Sequence, residues 1–336
     1  MNQILESLYQ GDHLDRQQTE KLITRIVQGQ LTEIEISALL VALKFKGESS
    51  DEIAGAASAL RASATPFPQV QGTVVDTCGT GGDGLGTINI STIVGLVAAE
   101  CGVKVAKHGN RSVSSKSGSS DVLQRFGVKL DVTPDVAARC LEQENFCFLF
   151  APLYHPGVKH VMPVRTALKT RTLFNLIGPL ANPAAPNVQL MGVYDPKLLV
   201  TMAKALQQLG CQKAMVVNGG GLDEIALHCP TNVAFLNNGE ITEEVITPEQ
   251  AGLEQAPLSR LQIDDPEAIA AALLCVVKGV GQREHNDVVA LNTAAVLLLA
   301  DKVANLAEGV KVAQEAILSG RVAQRLARIA ELTNGG

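Results

Sequence analysis

The length, composition and charge of the chain set the first limits on its function. Its 336 residues are 46% hydrophobic, so the chain is too long for one small domain and apolar enough to bury a large core. We therefore expect two domains. The net charge of -6 provides no general attraction for DNA or for an anionic membrane surface, and we expect neither as a partner. Any binding of phosphate must depend on local groups.

The cysteines and the N-terminal segment are typical of a protein from a reducing compartment. The seven cysteines are odd in number, form no CxxC pair and mostly lie in apolar or alanine-rich surroundings, so disulfides and a zinc site are not expected. Residues 1–10 lack the basic and apolar segments of a signal peptide, and the apolar stretch at 288–300 is too short to span a membrane. We expect a cytoplasmic protein.

The first part of the chain has the apolar periodicity of helices, at intervals of three and four residues. Thr32 and Glu35 match a capping box, and Ser50 is predicted to precede another helix. The Pro-Phe-Pro sequence at 66–68 then ends this helical region. The pattern predicts a small all-helical domain over residues 1–68.

After this linker, short β-rich segments alternate with helical segments. Segments with the β pattern include residues 73–76, 103–106, 146–150, 189–193 and 214–217. This alternation predicts a larger α/β domain with a central, largely parallel sheet flanked by helices. Strand patterns become sparse after residue 246, and helices are predicted over 266–278, 286–300 and 306–332.

A glycine-rich segment follows the first predicted strand, with five glycines in residues 79–86. Glycines let backbone N–H groups approach an anion closely, and the polar residues 87–92 open a helix whose N-terminus directs free amides to the same place. The spacing matches neither the Walker sequence nor the dinucleotide fingerprint, which disfavours a nucleotide triphosphatase. The density of glycines favours a phosphate-binding loop over an ordinary turn from strand to helix.

Two further polar segments suit phosphate chemistry. Residues 107–121 follow a strand and contain three cations and several serines, a composition that suits a pyrophosphate and a sugar, although a solvated loop is the alternative. Residues 219–224 place Asp223 and Glu224 beyond a flexible turn. Mg²⁺ prefers a few carboxylates together with phosphate oxygens and water, so this pair can bind it, although an acidic surface turn has the same composition.

At these segments the chain resembles the anthranilate phosphoribosyltransferase family, within a superfamily that also contains pyrimidine nucleoside phosphorylases. The resemblance runs along the whole chain, and its motifs are residues 79–83, 89–92, 107–119, 165–183 and 219–224. It implies transfer of the phosphoribosyl group of phosphoribosyl pyrophosphate (PRPP) to the amine of anthranilate, with release of pyrophosphate, in tryptophan biosynthesis.

The resemblance also implies a homodimer whose active site lies in the cleft between two domains of each subunit. The small domain would take back a middle segment, about residues 159–186. The larger domain would then consist of residues 69–158 and 187–336.

The resemblance assigns contacts to individual positions of this sequence. PRPP is expected to contact Gly79, Gly82, Asp83, Thr87, Asn89, Ile90, Ser91, Thr92, Lys107, His108, Gly109, Asn110, Arg111, Ser112, Val113, Ser114, Ser115 and Ser119. Anthranilate is expected to contact Gly79, Asn110, Arg165, His108, His155, Gly178 and Pro179. Two Mg²⁺ ions per subunit are expected, with Ser91, Asp223 and Glu224 as ligands. No covalent nucleophile is needed, because pyrophosphate leaves readily once its charge is stabilised.

Two other functions fit parts of the pattern. A pyrimidine nucleoside phosphorylase would also hold a ribose phosphate beside a planar ring, but Asn110, Arg111 and the 165–182 motif resemble the anthranilate enzymes. A non-catalytic nucleic-acid-binding relative would need a broad basic surface, which the charge balance opposes.

Overall fold

The computed structural model describes residues 1–111 and 118–335. The helices and strands in chain order are α1 (Asn2–Tyr9), α2 (Arg16–Val27), α3 (Glu33–Lys46), α4 (Ser50–Ala62), β1 (Val74–Gly79), α5 (Ile90–Glu100), β2 (Lys104–Gly109), α6 (Ser119–Arg125), α7 (Pro134–Glu144), β3 (Phe146–Phe150), α8 (Ala151–Tyr154), α9 (Met162–Leu168), α10 (Leu173–Ile177), β4 (Val188–Gly192), α11 (Leu199–Gln208), β5 (Lys213–Asn218), β6 (Thr231–Asn237), β7 (Glu240–Ile246), α12 (Pro266–Val277), α13 (Arg283–Leu299), α14 (Leu306–Leu318) and α15 (Arg321–Thr333). None of the helices in the described ranges is both long enough and apolar enough to cross a membrane.

The strands in the described residues form one seven-stranded sheet with the order β3-β2-β1-β4-β5-β6-β7. The first five of these run parallel, whereas β6 and β7 form an antiparallel hairpin at one edge. Asn238 and Gly239, both with positive φ, make the two-residue turn of that hairpin, as is usual for an Asn-Gly pair. The α/β fold with a largely parallel sheet and a helical N-terminal region is confirmed.

Each face of the sheet packs against helices, because alternate side chains of a strand point to opposite faces. Val75, Val105 and Leu190 belong to a core that also contains α5, α13 and α14. Met191 and Val216 point the other way, into a core that contains α11 and the N-terminal helices α1 to α4. The parallel strands are therefore buried on both faces, and ligands can reach these strands only at their ends.

The middle segment packs with the N-terminal helices. Helices α9 and α10 both contact α3, and α10 also contacts α4. Val161, Val164, Leu173 and Ile177 are buried in the same apolar core as α1 to α4. This segment leaves the sheet after β3, joins the helices that open the chain, and returns to the sheet at β4.

Two local features differ from the sequence prediction. The predicted helix over 306–332 is two helices, because Gly320 adopts a left-handed conformation with φ of 68° and separates α14 from α15. The cap of α4 is Ser49 and not Ser50. Ser49 accepts a hydrogen bond from the N–H of Glu52 at 3.2 Å, and the Glu52 carboxylate accepts one from the N–H of Ser49 at 2.8 Å. The capping box of Thr32 and Glu35 is confirmed.

Ser49→Ala should lower the free energy of unfolding by about 1 kcal/mol, since it removes the side-chain acceptor at the helix N-terminus. The matched control is Ser50→Ala, one residue later, which keeps the cap and should cost less. Urea unfolding of both variants measures the difference. Equal losses from the two variants would reject Ser49 as the cap.

Candidate active site

The parallel strands β1, β2 and β4 all end in glycine, at the same edge of the sheet. Gly79 of β1 is aligned with Gly192 of β4, and a Cβ atom at either position would collide with Asp223. The absence of side chains therefore lets the segment after β5 cross over the ends of β1 and β4. Such an edge, at the carboxyl ends of parallel strands, is where α/β proteins bind ligands.

The glycine loop is residues 80–89, and its first turn leaves several backbone N–H groups without a partner among the described residues. Gly81, Gly82, Gly84 and Gly86 all have positive φ, from 65° to 75°. The N–H of Gly81 donates to Asp223 Oδ2 at 2.9 Å. The N–H groups of Gly82, Asp83 and Gly84 donate no hydrogen bond within the part of the chain that the structure describes. These amides are available to an anion.

Helix α5 begins at Ile90, within the polar residues 87–92, with Asn89 as its cap. The Asn89 side chain accepts hydrogen bonds from the N–H of Thr92 at 3.3 Å and from its hydroxyl at 2.6 Å. Ile90 is only 1% exposed, so it can meet a ligand through its backbone alone. Ser91 also lies in this first turn. Its hydroxyl oxygen accepts a hydrogen bond from Lys107 Nζ of β2 at 3.1 Å.

The far side of the glycine loop is attached to a segment that the sequence did not indicate. Thr87 pairs with Gln262 in an isolated bridge, and the N–H of Ile88 donates to the carbonyl of Leu261 at 2.9 Å. The Gln262 side chain also donates to the carbonyl of Leu85 at 2.8 Å. These contacts fix the position of Thr87 relative to α5.

The end of β2 carries the predicted polar residues, of which Lys107 to Gly109 belong to the strand itself. Lys107 is buried, and its ammonium group also donates to the carbonyl of Thr77. A Cβ atom at Gly109 would collide with Ser119 Oγ, which donates to the carbonyl of Asn110 at 3.4 Å. Ser119 thus lies against the end of β2.

The rest of the second polar segment is described only in part. The Arg111 guanidinium lies 5.8 Å from the centre of the Phe150 ring. The predicted contacts Ser112, Val113, Ser114 and Ser115 lie outside the described residues.

His108 and His155 lie together beneath the middle segment. Their ring centres are 5.1 Å apart, and His108 Nδ1 lies 3.2 Å from the carbonyl oxygen of Gly178. Burial lowers the pKa of His108 to about 3 and that of His155 to about 4. Both rings are therefore neutral at pH 7, and they form an uncharged wall in which the two ring planes are 78° apart.

The middle segment is fixed to the sheet by buried polar contacts. Asn182 donates to Asp76 Oδ2 and to the carbonyl of Ala106, each at 2.8 Å, and Gln189 donates to the carbonyl of Pro179 at 2.8 Å. Burial raises the pKa of Asp76 to about 6, although Lys107 and Asn182 oppose this shift. Gly178 and Pro179 are thereby placed beside the end of β2.

Arg165 lies on α9, in the middle segment. Its guanidinium is partly buried and lies 6.0 Å from the centre of the Phe174 ring. Burial lowers its pKa, and no carboxylate within the described residues forms an ion pair with it. The side chain therefore has unused N–H donors.

Asp223 and Glu224 form an acidic pair over the glycine loop. Burial raises the pKa of Asp223 to about 6, and the nearby Asp83 contributes to this rise. Burial and then Asp223 raise the pKa of Glu224, which the Lys107 charge and a hydrogen bond with the backbone of Ser91 oppose. The described residues contain no group of three or more His, Cys, Asp and Glu that could hold a metal ion alone. A magnesium ion at this pair would usually take further oxygens from water or from a bound phosphate.

Sequence reasoning missed several residues of this site. Arg171 donates to the carbonyl of Gly82, and Asn182 and Asp76 join the middle segment to β1. These pairs are 89 and 106 positions apart in the chain, so spacing gave no sign of them. Arg171 does lie within the 165–183 motif, so a cation in that motif was the one sequence feature that could have indicated its role.

Comparison with known proteins agrees with this geometry. The helical bundle domain of a glycosyl transferase family matches residues 2–64, and the a/b domain of that family matches residues 71–323. The chain is 51% identical over 336 residues to an anthranilate phosphoribosyltransferase of Sorangium cellulosum, covering 100% of this chain and 97% of that protein. The enzyme of the same name from Aeromonas salmonicida is 52% identical, with 99% of each chain covered.

The chain belongs to the anthranilate phosphoribosyltransferase family. The resemblance inferred from the motifs is thus confirmed. An anthranilate phosphoribosyltransferase structure from Thermus thermophilus superposes with a TM-score of 0.93 at 39% identity, covering 98% of this chain and 99% of that one. The Saccharomyces cerevisiae enzyme in complex with PRPP and Mg has a TM-score of 0.90 at 27% identity, covering 99% and 97%.

Proposed function

We propose that this chain transfers the phosphoribosyl group of PRPP to the amine of anthranilate, giving N-(5-phosphoribosyl)anthranilate and pyrophosphate in tryptophan biosynthesis. The observation that carries the proposal is the meeting of three segments at one sheet edge. Asp223 of the acidic pair accepts from the N–H of Gly81 in the glycine loop, while Lys107 of β2 and Glu224 both contact Ser91 in the first turn of α5. The family of the chain and its full-length relatives support the same reaction.

The PRPP diphosphate would lie on the glycine loop. Free amides at Gly82 and Asp83 provide donors without side chains in the way, and the N-terminus of α5 provides further amides. Ser119, placed against Asn110 at the end of β2, would donate to the same ligand. The remaining predicted PRPP contacts, including the segment after Arg111, are proposed on the family resemblance.

Magnesium would bind at the acidic pair, and we propose two ions per subunit. Asp223 and Glu224 are oxygen donors that repel each other and Asp83, so a divalent cation would relieve that repulsion. Ser91 lies beside Glu224 and would provide a hydroxyl oxygen. When bound there, magnesium would stabilise the negative charge that develops on the leaving pyrophosphate. The yeast relative in complex with PRPP and Mg supports the choice of ion.

Anthranilate would lie against the middle segment. Arg165 has free donors for the carboxylate, and a guanidinium binds a carboxylate through paired hydrogen bonds. The neutral rings of His108 and His155, with Gly178, would face the aromatic ring. An aromatic amine is uncharged at pH 7 and needs no strong base, so this chain would act by positioning the amine towards the ribose.

The packing of the middle segment supports a division into two domains. We propose a small domain of residues 1–68 and 159–186 and a larger domain of 69–158 and 187–336. The packing of α9 and α10 on α3 and α4 supports this division. The cleft between the domains would then hold the two substrates.

The subunit is proposed to form a homodimer in the cytoplasm. Ile34, Val41 and Phe45 lie on one face of α3, separated by seven and four positions, and are 82%, 48% and 94% exposed. Tyr9 and Met162, on the neighbouring helices α1 and α9, are also exposed. Such a patch favours a second protein surface over water. All seven cysteines are free, which suits a reducing compartment.

The direct test is to mix the purified chain with PRPP, MgCl₂ and anthranilate and to follow the loss of anthranilate fluorescence. We expect loss that depends on all three components. A chain that leaves anthranilate unchanged but splits uridine or thymidine in the presence of phosphate would be a nucleoside phosphorylase, and the proposal would be wrong.

Arg165→Ala should raise the KM for anthranilate about tenfold or more, because a hydrogen bond to a charged group contributes about 1.5–3 kcal/mol. The KM for PRPP should change little. Steady-state kinetics with each substrate varied in turn measures both. Arg139→Ala, which removes an arginine on α7, controls for the loss of charge. An effect confined to PRPP would contradict the proposed role.

The double variant Asp223→Asn, Glu224→Gln should lower turnover by about 100-fold or more, because the metal no longer stabilises the leaving group. It should also weaken the dependence of the rate on magnesium. Titration of the rate with MgCl₂ checks this. The control is Glu243→Gln with Glu244→Gln, an exposed acidic pair on β7. If the site variant kept the magnesium dependence of the unchanged chain, these carboxylates would not be the ligands.

A further inference from the structure

Arg171 connects the glycine loop to the middle segment. Its guanidinium donates to the carbonyl of Gly82 and lies over the Tyr194 ring, with Cζ 3.7 Å from the ring centre. A Cβ atom at Gly82 would be 3.2 Å from Arg171 Nη2, so the close approach favours a glycine at that position. The side chain is partly buried between these two partners.

Tyr194 is itself fixed to the base of the loop. Its N–H donates to Thr80 Oγ1 at 3.2 Å, and the N–H of Thr80 donates to the carbonyl of Gly192 at 2.9 Å. The ring therefore has a fixed position relative to β1 and β4. A guanidinium stacked on such a ring loses little further freedom when it binds a carbonyl, because its planar group is already oriented.

The contact with Gly82 also orients the next amide. The carbonyl of Gly82 and the N–H of Asp83 belong to one trans peptide and point in opposite directions. Fixing the carbonyl on Arg171 therefore turns the N–H of Asp83 away from Arg171. On the other side of Gly82, Asp223 holds the N–H of Gly81. Two peptides of the loop are thus held by separate anchors, Arg171 and Asp223, which leave the neighbouring amides free.

We propose that Arg171 is a positioning residue that presets the glycine loop for the diphosphate of PRPP. It acts through the loop backbone and through Tyr194. The backbone next to Arg171 is fixed in turn, since the N–H of Thr172 donates to Asn175 Oδ1 at 3.0 Å at the start of α10. At the other end of α10, Gly178 contacts His108. The loop is therefore positioned by the same short helix that borders the proposed anthranilate site.

This inference rests on the proposed function, since it assumes PRPP as the ligand. Calorimetric titration with PRPP and MgCl₂ tests it without any need for turnover. Arg171→Ala should weaken PRPP binding about tenfold, whereas Arg171→Lys, which keeps a donor for the Gly82 carbonyl, should recover part of that loss. Arg139→Ala should bind PRPP like the unchanged chain. In steady-state kinetics the KM for PRPP should rise more than kcat falls.

A second pair of variants tests the role of the ring. Tyr194→Phe keeps the stacking surface and should bind PRPP more tightly than Tyr194→Leu, which should weaken binding about threefold. Adding Tyr194→Leu to Arg171→Ala should cause no further loss, because both act through the same contact. This pair keeps the inference testable even if Arg171→Ala fails to fold.

The two proposals fail in different ways. PRPP affinity within twofold of the unchanged chain in Arg171→Ala, with or without a lower melting temperature, would overturn the role of Arg171. So would equal effects of Tyr194→Phe and Tyr194→Leu. An unchanged chain that binds PRPP but does not consume anthranilate would overturn the proposed reaction and leave the role of Arg171 intact.

Discussion

The crossing of Asp223 over the ends of β1 and β4 is the contact on which the rest of the site depends. It requires glycine at both 79 and 192, since a side chain at either position would occupy the same space as Asp223. Once there, Asp223 holds the N–H of Gly81 and brings Glu224 to the start of α5. The acidic pair, the glycine loop and the helix N-terminus are therefore brought together by the absence of two side chains.

The charged side chains in this region favour a ligand that contains a divalent cation. Burial raises the pKa values of both Asp223 and Glu224, and a neighbouring carboxylate adds to each rise, Asp83 for Asp223 and Asp223 for Glu224. Lys107 is a buried cation close to them, and it already donates to Thr77 and Ser91. A magnesium ion would offset the repulsion among the three carboxylates, and a diphosphate bound to that ion would supply its further oxygen ligands.

The middle segment contacts both the glycine loop, through Arg171, and the proposed anthranilate site, through Gly178. Its helix α10 has Arg171 just before its N-terminus and Gly178 just after its last residue, and its buried side chains pack into the core of the N-terminal helices. Asn182 then fixes the segment to the buried Asp76. A change in the packing of the N-terminal helices would therefore shift the positions of the glycine loop and of His108.

The sequence by itself determined the features that depend on neighbours in the chain. The capping box of Thr32 and Glu35, the order of strands and helices, and the glycine loop that follows β1 all arise from local patterns. The two polar segments each follow a strand of the predicted parallel sheet, and the carboxyl ends of parallel strands meet at one edge. Two local details were wrong: Ser49 and not Ser50 caps α4, and Gly320 divides the last predicted helix. With two adjacent serines, the local pattern does not show which one is the cap. A single glycine can either lie within a helix or end it.

Only the tertiary structure decided which distant residues complete the site. Arg171 on Gly82, Gln262 on the glycine loop and Asn182 on Asp76 join positions far apart in sequence, and no periodicity or spacing encodes such pairs. The neutral state of His108 and His155 was likewise set by folding, since it results from burial against each other and the middle segment. Local patterns fix secondary structure, whereas burial and long-range contacts exist only once the chain has packed.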